Sequence, residues 1–337
     1  MKRFPTELLL LVSFAVMLFS PAAVFQGASD GLLLWFQILF PTLFPFLVIT
    51  ALLLHSGGLE LFAQTMARPI RRIFSVSSKG AFAVIAGFLC GYPMGAKITS
   101  DLVRSGKISE KEGAYLLSFC NNTSPAFLVN FLVGNALKDE TLLVPTLMIL
   151  IATPVLLSFL FRKFYAQGSK KSAYSPDHNR LCKKRNVGKS GNKKETMNLL
   201  ADRFAMKTSK IPFISLVDSC MMNSFEAITK VGGYLILFSI LIALLNLLPL
   251  PAELHLLLAA PLEVTNGILL LCRGTKNLTI TYPAVIGLTS FGGWCAVAQT
   301  NCMLKDTGLS IFPYIIQKLT AAAAASLLAY LYVQLIY

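Results

Sequence analysis

The sequence predicts an all-α, polytopic membrane protein. Of its 337 residues, 55% are hydrophobic and only 14% are charged, whereas soluble domains carry about 25% charged residues. Long apolar stretches recur along the chain, and they approach the roughly 17 to 25 residues with which a helix crosses a bilayer. Together these features exclude an ordinary cytosolic enzyme and a disordered chain.

The first element, residues 1–28, is expected to be a transmembrane span. Met1-Lys2-Arg3 precedes an apolar run at residues 8–25. A basic start before a short apolar run is also typical of a cleaved secretory signal peptide. Because the run is long enough to cross a bilayer and more spans follow it, we favour an uncleaved span and keep cleavage as the alternative.

Two later apolar segments, residues 80–97 and 282–299, are interrupted. Each carries Gly, Pro and polar residues at its centre, which a lipid-facing helix avoids because its freed backbone groups would lack partners. We therefore predict that both are re-entrant helical hairpins.

The two interrupted segments also resemble each other. A shift of 202 positions aligns Gly91 with Gly293 and Lys97 with Gln299. This match predicts two diverged repeats, residues 29–162 and 211–337, each with a re-entrant hairpin and a broken transmembrane helix. The repeats are inverted if residues 254–271 lie along the membrane surface, whereas the hairpins open on the same side if that stretch crosses. Inverted repeats with broken helices are typical of secondary transporters.

The predicted repeats are separated by a basic loop at residues 163–210. From residue 162 to residue 210 the chain has fourteen Lys/Arg and three acids, so this region carries most of the formal charge of +14. A short loop rich in Lys and Arg stays on the cytoplasmic side. Its polar, low-complexity sequence predicts disorder and contact with anionic lipid. The charge therefore does not predict a nucleic-acid partner.

The first candidate binding set lies in the earlier interrupted segment. Gly91, Tyr92, Pro93 and Gly95 would free backbone amides for a ligand. Lys97 adds a positive charge, and an ionisable residue at membrane depth indicates function. Lys97 would either bind an anionic substrate or snorkel to the interface.

A second candidate set is the polar cluster Asn121, Asn122, Thr123 and Ser124, followed by Pro125 inside an apolar span. A buried polar group without a partner costs about 1 to 3 kcal/mol. Each side chain must therefore contact a ligand, an ion, water or a neighbouring helix. We predict ligand or ion contact, because Pro125 also interrupts the helix there.

The later interrupted segment supplies Gly292, Gly293, Trp294 and Gln299 as a third set. Trp294 would stack on a planar ligand or anchor the chain at the membrane interface. Glu263 is an acid inside an apolar stretch, so it either binds a coupling proton or cation or caps a helix.

No sequence motif indicates covalent chemistry. The chain lacks nucleotide-binding and hydrolase signatures, so neither ATP-driven pumping nor hydrolysis is expected. Its seven cysteines form no CxxC and do not pair with His at metal-binding spacing. We therefore expect no enzyme activity, no cofactor and no metal site.

Residues 87–128, GFLCGYPMGAKITSDLVRSGKISEKEGAYLLSFCNNTSPAFL, resemble the Gate domain of nucleoside-recognition proteins. Within that group they resemble the YlbJ (SpoVV) family of sporulation integral membrane proteins. The flanking runs FPTLFPFLVITALL and SFGGWCAVAQTNCML are similar to the same family in the same order. The resemblance extends from about residue 40 to the C-terminus, apart from the basic loop.

The resemblance implies passage of dipicolinate, a small planar aromatic dicarboxylate, across the mother-cell-derived outer forespore membrane. The wider group is similar to concentrative nucleoside transporters, in which two opposed hairpins and two unwound helices enclose the substrate. The hairpin tip would then be residues 91–93, the unwound helix residues 121–125, and the second hairpin residues 292–294. The acidic hairpin residues of those transporters have no counterpart beside Gly91, and Lys97 in that neighbourhood suits an anion better than a nucleoside.

These observations predict a secondary transporter or facilitator of a small anion in a lipid bilayer. The alternatives are a non-transporting sporulation scaffold and a nucleoside-type transporter. A coupling ion and a second copy of the chain remain open as partners.

Overall fold

A computed structural model describes residues 4–56, 67–166, 213–274 and 277–336, which are helical with no strand. Most of the predicted basic loop lies outside the described residues. Its first residues, 163–166, are the last residues of a helix.

The N-terminal region contains a helix boundary inside the predicted first span. Ser20 is not helical, and Pro21 is the first residue of the next helix. A proline is tolerated there because the first N–H groups of a helix have no partner within it. The candidate span in this region is Pro21–Leu39. The helices are α1 (Phe4–Phe19), α2 (Pro21–Leu34) and α3 (Phe40–Ser56), with a wider π-helical turn at Trp35–Leu39 before α3.

The next part of the chain contains a helix pair that folds back on itself. Helix α5 (Ser78–Cys90) ends at Gly91, whose φ of +84° suits glycine, and α6 (Met94–Arg104) follows. The pair packs closely, since a methyl group on Gly87 would stand 3.2 Å from the Cα atom of Gly95. The short helix α4 (Ala67–Phe74) meets α5 at 92°.

A broken span follows this pair. Helix α7 (Glu110–Cys120) ends before the non-helical residues 121–124. Pro125 then opens α8, which comprises Pro125–Phe127 and the π-helical continuation Leu128–Leu137. The long helix α9 (Leu143–Ala166) completes this half of the chain.

The second half repeats this order of elements after a helix of 33 residues. A short helix pair breaks at residues 260–263, a broken span is interrupted at Gly292, and a long helix ends the chain. The helices are α10 (Phe213–Leu245), α11 (Ala252–Ala259), α12 (Val264–Gly274), α13 (Leu278–Phe291), α14 (Gly293–Met303) and α15 (Ile311–Ile336).

The predicted hairpin at residues 282–299 is not confirmed, because α13 and α14 together form one candidate span, Leu278–Met303. The pair that folds back is α11–α12, in which a methyl group on Gly274 would lie 3.4 Å from the Leu256 side chain. Residues 254–271 therefore belong to two short helices with a break between them, and not to one continuous helix. When the two halves are compared by the order of their helices, the break at residues 91–93 corresponds to the break at residues 260–263. The sequence shift of 202 instead aligns residues 91–93 with the break inside the span Leu278–Met303.

The described residues contain six helical segments long and apolar enough to cross a membrane, or up to seven if the bent α4–α5 pair is one span. Many large apolar side chains on these helices are exposed, as expected of surfaces that face lipid. The predicted polytopic α-helical class is confirmed. The six segments are Pro21–Leu39, Glu110–Leu137, Glu140–Tyr165, Phe213–Leu245, Leu278–Met303 and Ile311–Ile336.

Candidate substrate site

The helix breaks of the two halves meet in the interior. A methyl group on Gly91 would stand 2.7 Å from the backbone nitrogen of Ser124, so the tip of α5–α6 lies against the break of α7–α8. A methyl group on Gly292 would stand 3.3 Å from the ring of Tyr92. The break of α13–α14 thus reaches the same point from the other half.

The fourth break, at residues 260–263, joins this group through backbone hydrogen bonds. The Trp294 amide donates to the Pro261 carbonyl at 2.8 Å, and the Cys295 amide donates to the Leu262 carbonyl at 2.9 Å. These amides of the first turn of α14 are therefore already paired. The Trp294 ring is 41% exposed and packs edge-on against Phe291, so it does not line the interior site.

A cavity of about 130 Å³ lies between the breaks. Its wall combines aromatic and aliphatic side chains with hydroxyl, amide and carboxyl groups, as small-molecule sites do. Seven of the predicted site residues line it: Gly91, Tyr92, Pro93, Thr123, Ser124, Glu263 and Gln299. The other lining residues are Ile38, Leu39, Leu43, Cys90, Ala126, Phe127, Asn130, Phe131, Val231, Val264 and Thr265.

Glu263 is the one carboxylate among the described residues that line this cavity, and no Lys or Arg is among them. It is 3% exposed and accepts hydrogen bonds from the amides of Thr265 at 3.0 Å and Asn266 at 2.9 Å. The Asn266 side chain donates a further bond at 3.0 Å. Glu263 therefore caps α12, where the helix dipole stabilises a negative charge, while it faces the cavity near Tyr92.

Lys97, predicted either to bind an anionic substrate or to snorkel to the interface, does not line the central cavity. Its ammonium forms an ion pair with Asp101 at 2.6 Å. It lines a separate outer cavity of about 550 Å³ that also holds Arg104 and Lys230. The helical spacing explains the difference, because Lys97 lies on the first turn of α6 and points towards Asp101 one turn later.

Two other predicted residues, Gly95 and Gly293, lie where two backbone segments approach each other closely. A methyl group on Gly95 would stand 2.4 Å from the carbonyl oxygen of Cys120. Gly293 has a φ of +80° and lies beside Pro261, whose carbonyl oxygen would be 3.1 Å from an added methyl group. Both glycines therefore let helix ends approach each other.

The Asn121 side chain forms hydrogen bonds to three neighbouring helices but does not line the cavity. Its Oδ1 accepts from the Ala96 amide at 3.2 Å, so it serves the first turn of α6. Its Nδ2 donates to the Tyr314 hydroxyl at 2.9 Å and to Thr300 Oγ1 at 3.0 Å. The side chain is 1% exposed. Asn121 thus connects α6, α14 and α15.

The rest of the polar cluster divides between structural and cavity-facing roles. Asn122 donates to the Phe119 carbonyl at 2.6 Å. Thr123 donates to the Thr289 carbonyl at 2.9 Å, which joins the two broken spans. Thr123 and Ser124 line the cavity, whereas Asn122 does not.

Lys318 belongs to this region and was not among the predicted residues. It lies in α15, is 3% exposed, and its Nζ donates to the Asn121 carbonyl at 3.2 Å. The signal in the sequence was a lone basic residue inside the apolar segment Ile311–Ile336. An ionisable residue within a span indicates function by default, so this position could have been found.

The described residues contain no group of three or more His, Cys, Asp or Glu side chains placed to hold a metal ion. The arrangement offers hydrogen-bonding groups and aromatic surface around a small cavity.

The fold defines an integral membrane protein whose broken helices meet around a cavity of about 130 Å³. Residues 36–138 match the Gate family, described as nucleoside recognition, and this match includes α5, α6, α7 and α8.

In an alignment 341 positions long, the chain is 26% identical to the sporulation integral membrane protein YlbJ of Bacillus subtilis (strain 168). The alignment covers 94% of this chain and 81% of that relative. No solved structure matches. The resemblance to the Gate domain and to YlbJ is confirmed.

Proposed function

We propose that this protein is a secondary transporter or facilitator of a small organic solute, which binds in the central cavity. The observation that carries the proposal is the meeting of four helix breaks, two from each half, around one cavity. Non-helical backbone at membrane depth is tolerated where protein or a water-filled cavity surrounds it. In secondary transporters such breaks form the substrate site.

In this proposal the two halves are inverted repeats, and the pairs α5–α6 and α11–α12 are re-entrant hairpins. Movement of one half against the other would open the cavity to each side of the membrane in turn. Support comes from the shared order of folded-back pair, broken span and long helix. The broken spans touch at Thr123 and Thr289, so a shift of either half would change the cavity wall.

The proposed substrate is dipicolinate, carried across the outer forespore membrane during sporulation. The name of the relative YlbJ supports a role in sporulation. Aromatic rings of Tyr92, Phe127 and Phe131 line the cavity and offer surfaces for a planar ring. Ser124, whose hydroxyl accepts from the Phe127 amide and keeps its own O–H, and Gln299, with a second N–H on Nε2, offer donors for carboxylates. The proposal assigns no covalent chemistry to the chain.

A nucleoside is the second candidate substrate, and Glu263 favours it. A carboxylate on the cavity wall repels a second carboxylate but accepts hydrogen bonds from sugar hydroxyls. The nucleoside-recognition description of the Gate family points the same way.

The test is uptake of labelled dipicolinate and labelled uridine into vesicles that contain the purified protein. Gln299→Met removes an amide from the cavity wall, and Gln317→Met is its matched control, because Gln317 donates to Tyr165 outside the cavity. We expect saturable dipicolinate uptake that falls in the first variant and persists in the second. Uptake of uridine alone would identify a nucleoside transporter. Uptake of neither by correctly folded protein would contradict transport and favour the scaffold.

A further inference from the structure

Lys318 is a buried cation without an anionic partner in the described part of the chain. It is the eighth residue of the candidate span Ile311–Ile336 and is 3% exposed. None of the ion pairs between described residues includes it. Because a charge at membrane depth is costly, its position requires compensation by dipoles.

The compensation comes from the end of α7. The Lys318 ammonium donates to the Asn121 carbonyl at 3.2 Å, and Asn121 has left the helical conformation with φ −102° and ψ 77°. Carbonyl groups at a helix C-terminus lack intrahelical partners and carry partial negative charge. Lys318 therefore supplies a positive charge where broken backbone presents a negative one.

Further oxygen atoms lie beside the Asn121 side chain and at the end of α7. Tyr314 lies one turn before Lys318 on α15, and its hydroxyl and Thr300 Oγ1 both bind the Asn121 side chain. The carbonyl of the neighbouring Cys120 lies close to Gly87 and Gly95. Carbonyl and hydroxyl oxygens at a broken helix are the groups with which membrane transporters coordinate a sodium ion.

We propose that the Lys318 ammonium is a built-in cation that occupies the place a sodium ion would take at the break of α7–α8. The consequence for transport, which rests on the proposed function, is that uptake does not require sodium. An ammonium group supplies one charge and three N–H donors from a fixed position. The charge therefore remains at the break throughout a transport cycle and is not carried across the membrane.

The test is thermal unfolding of the purified protein in sodium chloride and in choline chloride, without substrate. We expect the wild type to unfold at the same temperature in both salts. Lys318→Ala removes the ammonium and leaves its place free for a sodium ion. At a sodium concentration near tenfold above the dissociation constant, the melting temperature of this variant should rise by about 2 to 6 °C. Lys318→Met is the matched control, because it removes the charge but fills the space, and it should show no sodium effect.

Sodium stabilisation of the wild type as large as that of Lys318→Ala would overturn the proposal. A Lys318→Ala variant that behaves like Lys318→Met, with no sodium effect, would also overturn it. If Lys318→Ala does not fold, Lys318→Ser replaces it, since that variant also vacates the place of the ammonium and must gain the sodium effect; no effect there would overturn the proposal. These measurements use no substrate, so they stand apart from a failure of dipicolinate uptake.

Discussion

Replacement of Asn121 by alanine should separate the structural role of the polar cluster from ligand contact. The change removes the acceptor of the Ala96 amide and the donor to Tyr314 and Thr300. Ala96 lies in the first turn of α6, so its N–H has no partner within the helix. A buried donor left unpaired costs about 1 to 3 kcal/mol, and each lost hydrogen bond about 1 kcal/mol more. With the two bonds to Tyr314 and Thr300 lost as well, we expect a total destabilisation of about 3 to 5 kcal/mol.

Asn122→Ala is the matched control for this prediction. Its side chain is partly buried and donates only to the Phe119 carbonyl nearby, so its loss should cost about 1 kcal/mol or less. Denaturant unfolding of both variants in detergent gives the two free energies, and vesicle uptake shows whether activity falls with stability. Equal destabilisation by the two substitutions, or an Asn121→Ala variant as stable as wild type, would refute the connecting role of Asn121.

Three further predictions follow from the geometry of the site. Glu263→Gln removes the negative charge that this carboxyl carries when ionised, and burial raises the pKa of the carboxyl. In alkaline buffer the substitution should therefore lower the KM for dipicolinate by roughly tenfold and leave uridine uptake no better; a raised KM for dipicolinate would contradict anion binding there. Lys97→Gln should change the KM for dipicolinate by less than about twofold, since Lys97 pairs with the partly buried Asp101 outside the central cavity, and a tenfold change would place Lys97 at the substrate. Gly87→Ala should prevent folding, because its methyl group would stand 2.0 Å from the Cys120 carbonyl oxygen. Gly233→Ala is the control, because its methyl group would meet nothing within 4 Å. In size-exclusion chromatography we expect a monodisperse peak for Gly233→Ala and none for Gly87→Ala.

The sequence was sufficient to predict the helical membrane class and the breaks at residues 91–93, 121–124 and 292. Apolar length and interruption by Gly or Pro are local properties, so they can be recognised without a fold. The break at residues 260–263 was missed because its apolar neighbours form one run long enough to span. Whether a break is a hairpin tip or a kinked span depends on which helices pack together, and glycine occurs in both.

The roles of the polar residues were harder to predict than their positions. Asn121 and Thr123 lie in the same short cluster. Asn121 connects three helices and does not line the cavity, whereas Thr123 joins the two broken spans and lines it. Lys97 stands beside a predicted tip but pairs with Asp101, whereas Lys318 reaches the break from a distance of 197 residues along the chain. Side-chain direction and long-range contact decide such cases, and neither follows from sequence spacing alone.

The central claim is that a small solute binds between the four helix breaks, and substrate protection of a single introduced cysteine tests it most directly. Ser124→Cys places a thiol on the cavity wall, and Lys97→Cys places one in the outer cavity. Labelling by a small thiol reagent is followed by mass spectrometry with and without dipicolinate. At a dipicolinate concentration near tenfold above its dissociation constant, labelling at position 124 should slow by about tenfold, while labelling at position 97 is unchanged. Equal labelling rates at position 124 with and without dipicolinate would contradict the account.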